Sequence, residues 1–145
     1  MTKKLSKKET HDNQIRKGFG MTNYPVGDFL IRIKNAAMID KRYIEVRNSK
    51  LIEAIAMALK KEGYLDEVKK VGSNLSIRLT FRNKKPLILD LKLVSTPGLR
   101  VYKGVDELKK VRGPRVLFLS TPKGVMSLSD AVKNNLGGEI IVAVL

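Results

Sequence analysis

Two short apolar runs set the frame of this chain: Val116-Leu117-Phe118-Leu119 after Arg115, and Ile140-Ile141-Val142-Ala143-Val144-Leu145 after Glu139. Runs of this length with no polar alternation read as buried strands. Directly after the first comes Ser120-Thr121-Pro122-Lys123-Gly124-Val125-Met126, a stretch rich in hydroxyls that carries one lysine and one glycine. Buried strands on either side of such a loop describe a rigid platform holding a small polar tip still.

The client of that tip follows from charge. The 145 residues carry 29 Lys and Arg against 14 Asp and Glu, a formal charge of +15, which favours a polyanion such as a phosphate backbone or an anionic lipid. No apolar run approaches the roughly 20 residues needed to cross a bilayer, and the basic N-terminus lacks the apolar segment of a secretory signal. Neither helix candidate sets a dense basic face against bulky apolar residues, as an interfacial helix would. Nucleic acid is therefore the expected partner, with no membrane association.

Several chemistries are excluded by what is missing. There is no cysteine, and His11 is the one histidine, so thiolate or imidazole metal sites and histidine-based nucleophilic dyads have no ligands or bases to use. Ser120-x-x-Lys123 has the spacing of serine–lysine acyl transferases, but that chemistry puts the two residues one helical turn apart. Pro122 between them and Gly124 after them oppose such a helix. No phosphate-cradling glycine motif follows a strand. The expectation is a protein that is not an enzyme and needs no cofactor and no metal.

Along the chain, residues 1–20 hold Lys3, Lys4, Lys7, Lys8, Arg16 and Lys17 against Glu9 and Asp12, with no apolar period, and are expected to form a flexible basic arm. Val26, Phe29, Leu30, Ile33 and Ala37 then share one side of a helix, with Pro25 at a first helical position that tolerates it. Asp28, Arg32 and Asn35 lie on the opposite side, either as an exposed Asp28–Arg32 pair or as groups turned to RNA; the sequence leaves both open. Tyr43–Arg47 reads as a strand. Asn48 or Ser49 can cap a second helix running through Glu62, with Leu51, Ile55, Ala58 and Leu59 inward and Gly63 as its stop.

Strands follow over 64–71 and 75–81, the latter with Leu75, Ile77, Leu79 and Phe81 on one face, and Leu87, Leu89, Leu91 and Leu93 repeat the alternation. Pro97-Gly98 marks a turn. The expected fold is α+β in two lobes: α-β-α-β-β-β over 21–95 and a mostly β lobe over 96–145, with short helices at Val105–Lys110 and Ser127–Asn134.

Five separated motifs carry a resemblance. Pro25-Val26-Gly27-Asp28-Phe29-Leu30-Ile31-Arg32-Ile33-Lys34-Asn35, Ser49-Lys50-Leu51, Pro97-Gly98-Leu99-Arg100-Val101-Tyr102, Ser120–Met126 and Leu136-Gly137-Gly138-Glu139-Ile140 resemble, in order and spacing, the bacterial-type small-subunit ribosomal protein S-eight family. The likeness covers about residues 21–145. It implies a structural constituent of the small subunit that binds the central domain of 16S rRNA, supports assembly, meets neighbouring small-subunit proteins and has no obligate homo-oligomer. It also implies a cytoplasmic, ribosomal location, and repression of the protein's own messenger as a further role.

Carried over residue by residue, the resemblance makes Ser120, Thr121, Pro122, Lys123, Gly124, Val125, Gly138 and Glu139 the centre of an RNA site. Asp28, Arg32, Asn35, Ser49 and Lys50 add contacts from the N-terminal lobe, and Tyr102 and Lys103 lie close by. Two departures stand out. Pro122 replaces a serine common in the family, and Tyr24 stands where an acidic helix cap is usual, leaving Asn23 or Thr22 as substitutes. The arm exceeds the usual family start. A basic DNA-packaging protein would share the charge but tolerate changes in the 120–126 stretch.

Overall fold

The structure, a computed structural model, describes residues 24–145. The expected arm over 1–20, and Thr22 and Asn23 as caps, lie outside the described residues. In chain order the elements are α1 (Pro25–Met38), β1 (Tyr43–Arg47), α2 (Lys50–Lys61), β2 (Leu65–Val71), β3 (Asn74–Leu79), β4 (Phe81–Arg82), β5 (Lys85–Pro86), β6 (Leu91–Leu93), β7 (Tyr102–Lys103), α3 (Val105–Leu108), β8 (Val116–Thr121), β9 (Gly124–Ser127), α4 (Leu128–Lys133) and β10 (Gly138–Val144). The class is α+β, as expected.

Helix α1 starts at Pro25, whose missing N–H costs nothing in the first turn. Val26, Phe29, Leu30, Ile33 and Ala37 are all buried. Its cap residue Tyr24 makes no side-chain capping bond. Instead its hydroxyl donates to the buried Ser95 carbonyl at 2.9 Å. Helix α2 is capped by Ser49, whose hydroxyl accepts from the Ile52 N–H at 3.2 Å. Its stop is Gly63, at φ +90°, a conformation that favours glycine. Leu51, expected inward, is exposed, and Ile52 takes the inward place. The cap fixes this phase, because Ile52 closes the first turn on Ser49.

One antiparallel sheet has the order β1-β3-β2, and Leu75, Ile77 and Leu79 of its central strand turn to the core. The second sheet has the order β6-β10-β8-β9, with β7 also pairing β10. The leucine alternation expected over 87–93 does not hold. Ile88 is buried, Leu89 is exposed, and the strand forms only over Leu91–Leu93. The reason is backbone pairing: the Leu89 and Asp90 N–H groups both donate to the Leu145 carbonyl, which sets a new phase before β6 joins β10.

Strand β10 is covered on both faces. On one side Val142 and Val144, with Phe118 of β8, join the core built from α1, α2 and the first sheet. On the other, Ile140 and Leu119 pack with Leu108 of α3 and Ala131 of α4. Phe118 meets Tyr64 edge-on, ring centres 6.2 Å apart, a favourable aromatic geometry. Asp90 ties three elements at the edge: it receives Arg115 at 2.9 Å and Lys34 of α1 at 3.5 Å. The Arg115 hydrogen bond, then the Leu91 N–H and the Lys34 charge, hold its carboxyl below the usual carboxylate range.

Two outcomes test this. Tyr24→Phe removes one buried hydrogen bond and is expected to cost about 1–2 kcal/mol, read as a lower urea midpoint with unchanged slope. A depressed carboxylate stabilises the fold above its unfolded range and loses that contribution as pH falls through its folded value. Asp90→Asn should therefore flatten the acid limb of the urea-midpoint profile below about pH 4.

Candidate nucleic-acid interface

The stretch after β8 is a tight hairpin. Thr121 pairs with Gly124, leaving Pro122 and Lys123 as the two turn residues. Pro122 pre-sets φ for the first turn position, and the positive φ falls on Gly124, at +118°. The Thr121 hydroxyl donates to the Gly124 carbonyl at 2.7 Å and accepts from the Lys123 N–H at 3.2 Å. Thr121 is itself buried. Its hydroxyl is thus spent inside the turn, and its effect at the tip is to fix where Lys123 stands.

Strand pairing assembles the rest. Glu139 of β10 lies opposite Ser120 of β8 and Tyr102 of β7, and Ser120 lies opposite Val125 of β9. Directly paired residues of antiparallel strands point to one face. Tyr102, Glu139, Ser120 and Val125 therefore form one row across four strands. Lys103 lies opposite Gly138 in the adjoining row. Tyr102 is 66% exposed, and among the described residues the Ser120 hydroxyl has no hydrogen-bond partner. The row offers an aromatic face, a carboxylate and a free hydroxyl, with Lys123 exposed beyond it.

Gly138 is glycine because the backbone passes too close for anything else. A Cβ there would meet the Ser120 carbonyl oxygen at 2.1 Å and Thr121 Cα at 3.2 Å. At Gly137 it would meet the Lys103 carbonyl oxygen at 2.7 Å. The pair lets β10 enter between β7 and β8, which brings the row together.

One participant escaped the sequence reading. Arg100 donates to Glu139 Oε2 at 3.2 Å, and its guanidinium lies 5.8 Å from the Tyr24 ring centre. Burial pushes the Tyr24 phenol above the usual tyrosine range; Arg100 works against this and Glu139 with it. Ser95, also buried, bonds the Val101 N–H through its hydroxyl at 2.9 Å, closing the Thr96–Leu99 turn that delivers Arg100. Pro97-Gly98 signalled that turn, but nothing local marked Arg100 as the orienting partner of a residue 39 positions away.

The N-terminal candidates form a separate group. Asp28 and Arg32, with Arg47 and Ile52, line a shallow cleft of about 110 Å³ between α1, β1 and α2. Asn35 sits further along α1, beside Arg32 and Lys41. Asp28 and Arg32 are exposed and form no ion pair among the described residues, so the simple pair is not made. The Ser49 hydroxyl is occupied as the α2 cap, and Lys50 is exposed beside it. No hydrogen bond or ion pair among the described residues joins this group to the sheet row.

With the geometry in place, comparison decides the kinship. The family described as ribosomal protein S8 matches residues 24–145. The chain belongs to the ribosomal protein S8 family. It is 45% identical over 122 residues to the small ribosomal subunit protein uS8 of Paracidovorax citrulli, covering 81% of this chain and 93% of that protein. The uS8 of Pseudomonas aeruginosa is 43% identical over 124 residues, covering 83% and 95%. That of Burkholderia cenocepacia is 44% identical over 122 residues, covering 81% and 93%. Membership in the ribosomal protein S8 family makes the chain a structural ribosomal protein and not an enzyme.

Gly138→Ala is expected to destabilise the fold by about 3 kcal/mol, at the upper end for overpacking, because the obstructing atoms are backbone. Thr121→Val keeps the shape, and should cost about 1–2 kcal/mol through the two lost turn bonds. Chemical denaturation of each variant measures both.

Proposed function

We propose that the protein is a constituent of the small ribosomal subunit that binds the central domain of 16S rRNA through the hairpin and the row behind it. What carries this reading is the four-strand row beside the turn that bears Lys123: an aromatic face, a hydroxyl and an oriented carboxylate on rigid strands. Irregular RNA helices expose base edges and 2′-hydroxyls in a shallow groove, and these groups suit that surface. Ser120 is positioned to exchange hydrogen bonds with a base edge or a 2′-hydroxyl. Glu139, held by Arg100, accepts from a base amino group. Lys123 meets a phosphate, and Gly124 lets backbone approach.

Thr121 supports the tip from within the turn, and Val125 ends the row where it packs against the main core. Pro122 offers no hydroxyl and contributes stiffness, so fewer polar contacts come from the turn itself. Asp28, Arg32, Asn35, Ser49 and Lys50 form the secondary contact, with Arg32 and Lys50 as its charges, while Tyr102 and Lys103 flank the main row. Neighbouring small-subunit proteins complete the surroundings. A helix of similar shape in the protein's own messenger would fit the same surface, which is the route to repression. A DNA-packaging role fits less well, since a preformed polar row is of no use for sequence-blind contact with duplex phosphates.

The test is binding to a central-domain 16S rRNA transcript across a salt series. Ser120→Ala should weaken binding about tenfold at every salt concentration, the loss of about 1.4 kcal/mol, within the range for one hydrogen bond. Lys123→Ala should lower the slope of log affinity against log salt by about one. Wild-type affinity for both variants would remove the hairpin from the site.

A further inference from the structure

The β4–β5 hairpin is built against its own electrostatics. Arg82 and Lys85 are directly paired across it, and like charges directly opposite are destabilising. Between them Asn83 and Lys84 both hold positive φ, +55° and +68°. A two-residue turn of this kind takes glycine at its second position by preference; here a lysine stands in the strained place. Beside it the Arg42 guanidinium stacks over the Phe81 ring, 4.2 Å from its centre, and the Arg42 carbonyl accepts from the Leu79 N–H.

Four exposed cations are thus gathered at one end of the N-terminal lobe. Among the described residues Arg42, Arg82, Lys84 and Lys85 form no ion pair, as holds for most of the surface cations; what sets these four apart is that they are gathered in one place. The nearest carboxylate in sequence to Arg42, Asp40, is exposed in the α1–β1 loop. A solvated face has no need of opposed cations. A polyanion offsets their repulsion, and the planar Arg42 on its aromatic support suits phosphate.

We propose that this hairpin is a second RNA-phosphate contact, holding a segment of small-subunit rRNA other than the one that meets the Lys123 hairpin. It rests on the rRNA-binding reading above and adds a second point of attachment to it. The protein then fixes two RNA segments relative to each other. Contact here is to the backbone, so it adds salt-sensitive affinity and no base preference.

Lys84→Gly tests this with little risk to folding, since glycine accepts the positive φ. The variant should match or exceed wild-type stability. On a full-length small-subunit rRNA transcript it should lower the salt slope by about one, and by about three with Arg82→Gln and Lys85→Gln added. An unchanged slope in the triple variant overturns the proposal. The chain has no cysteine, so an iron chelate tethered at Lys84→Cys or Lys123→Cys reports each hairpin separately.

Strand cleavage from position 84 in an rRNA segment not cut from position 123 supports a second contact. Cleavage from 123 alone, or from both in the same segment only, overturns it while leaving the first hairpin's assignment intact. Cleavage from neither overturns both. A cross-link from position 84 to a neighbouring protein, without RNA cleavage, assigns the patch to protein and also overturns the proposal.

Discussion

Everything at the hydroxyl–lysine hairpin depends on the insertion of β10 between its neighbours. That strand pairs with β6, β7 and β8, is covered on both faces by separate cores, and begins at a glycine pair where the adjoining backbone leaves no room for a Cβ. Its apolar length supplies the burial that stabilises the sheet, at about 25 cal/mol per Å² of apolar surface. Its first residues carry the row of polar groups. Stability and the candidate interface are therefore arranged along one strand, with the changeover near Ile140.

The same strand welds the two sheets into one body. Phe118, Val142 and Val144 share a core with Leu59, Leu75 and Leu79, and the Tyr24–Ser95 bond and the Asp90 ion pairs span the remaining seam. Because Arg100 reaches both Glu139 and the ring of Tyr24, the start of α1 helps orient a group in the far sheet. The polar row inherits its rigidity from this seam as well as from its own strands.

Much of this was legible in the residues. Period and capping gave α1, β1, α2 and β3 closely, because their apolar positions answer to a single nearby core. Where two partners competed, pattern failed. Leu87 and Leu89 look like an inward face, yet the Thr80 carbonyl takes the Leu87 N–H, the Leu145 carbonyl takes those of Leu89 and Asp90, and Ile88 turns inward instead. Leu51 fits the helical stripe, but the Ser49 cap sets the phase. At the candidate site, Ser120, Lys123 and Glu139 were readable as chemistry. That Thr121 turns inward and that Arg100 holds Glu139 were not, since both follow from hydrogen bonds formed only once the strands pair. Cross-strand adjacency of Arg82 and Lys85 was likewise invisible until the turn between them was known.

The position of β10 in the chain has a temporal meaning. Synthesis is vectorial, and β10 follows every other described element, so β7 and β8 leave the ribosome lacking the strand that separates and joins them. The first sheet, whose three strands lie within Tyr43–Leu79, can close without it. A nascent chain thus acquires its basic N-terminal surface before the row of Tyr102, Glu139 and Ser120 exists. Diffuse positive charge precedes the polar row, which is assembled only when β10 slides home.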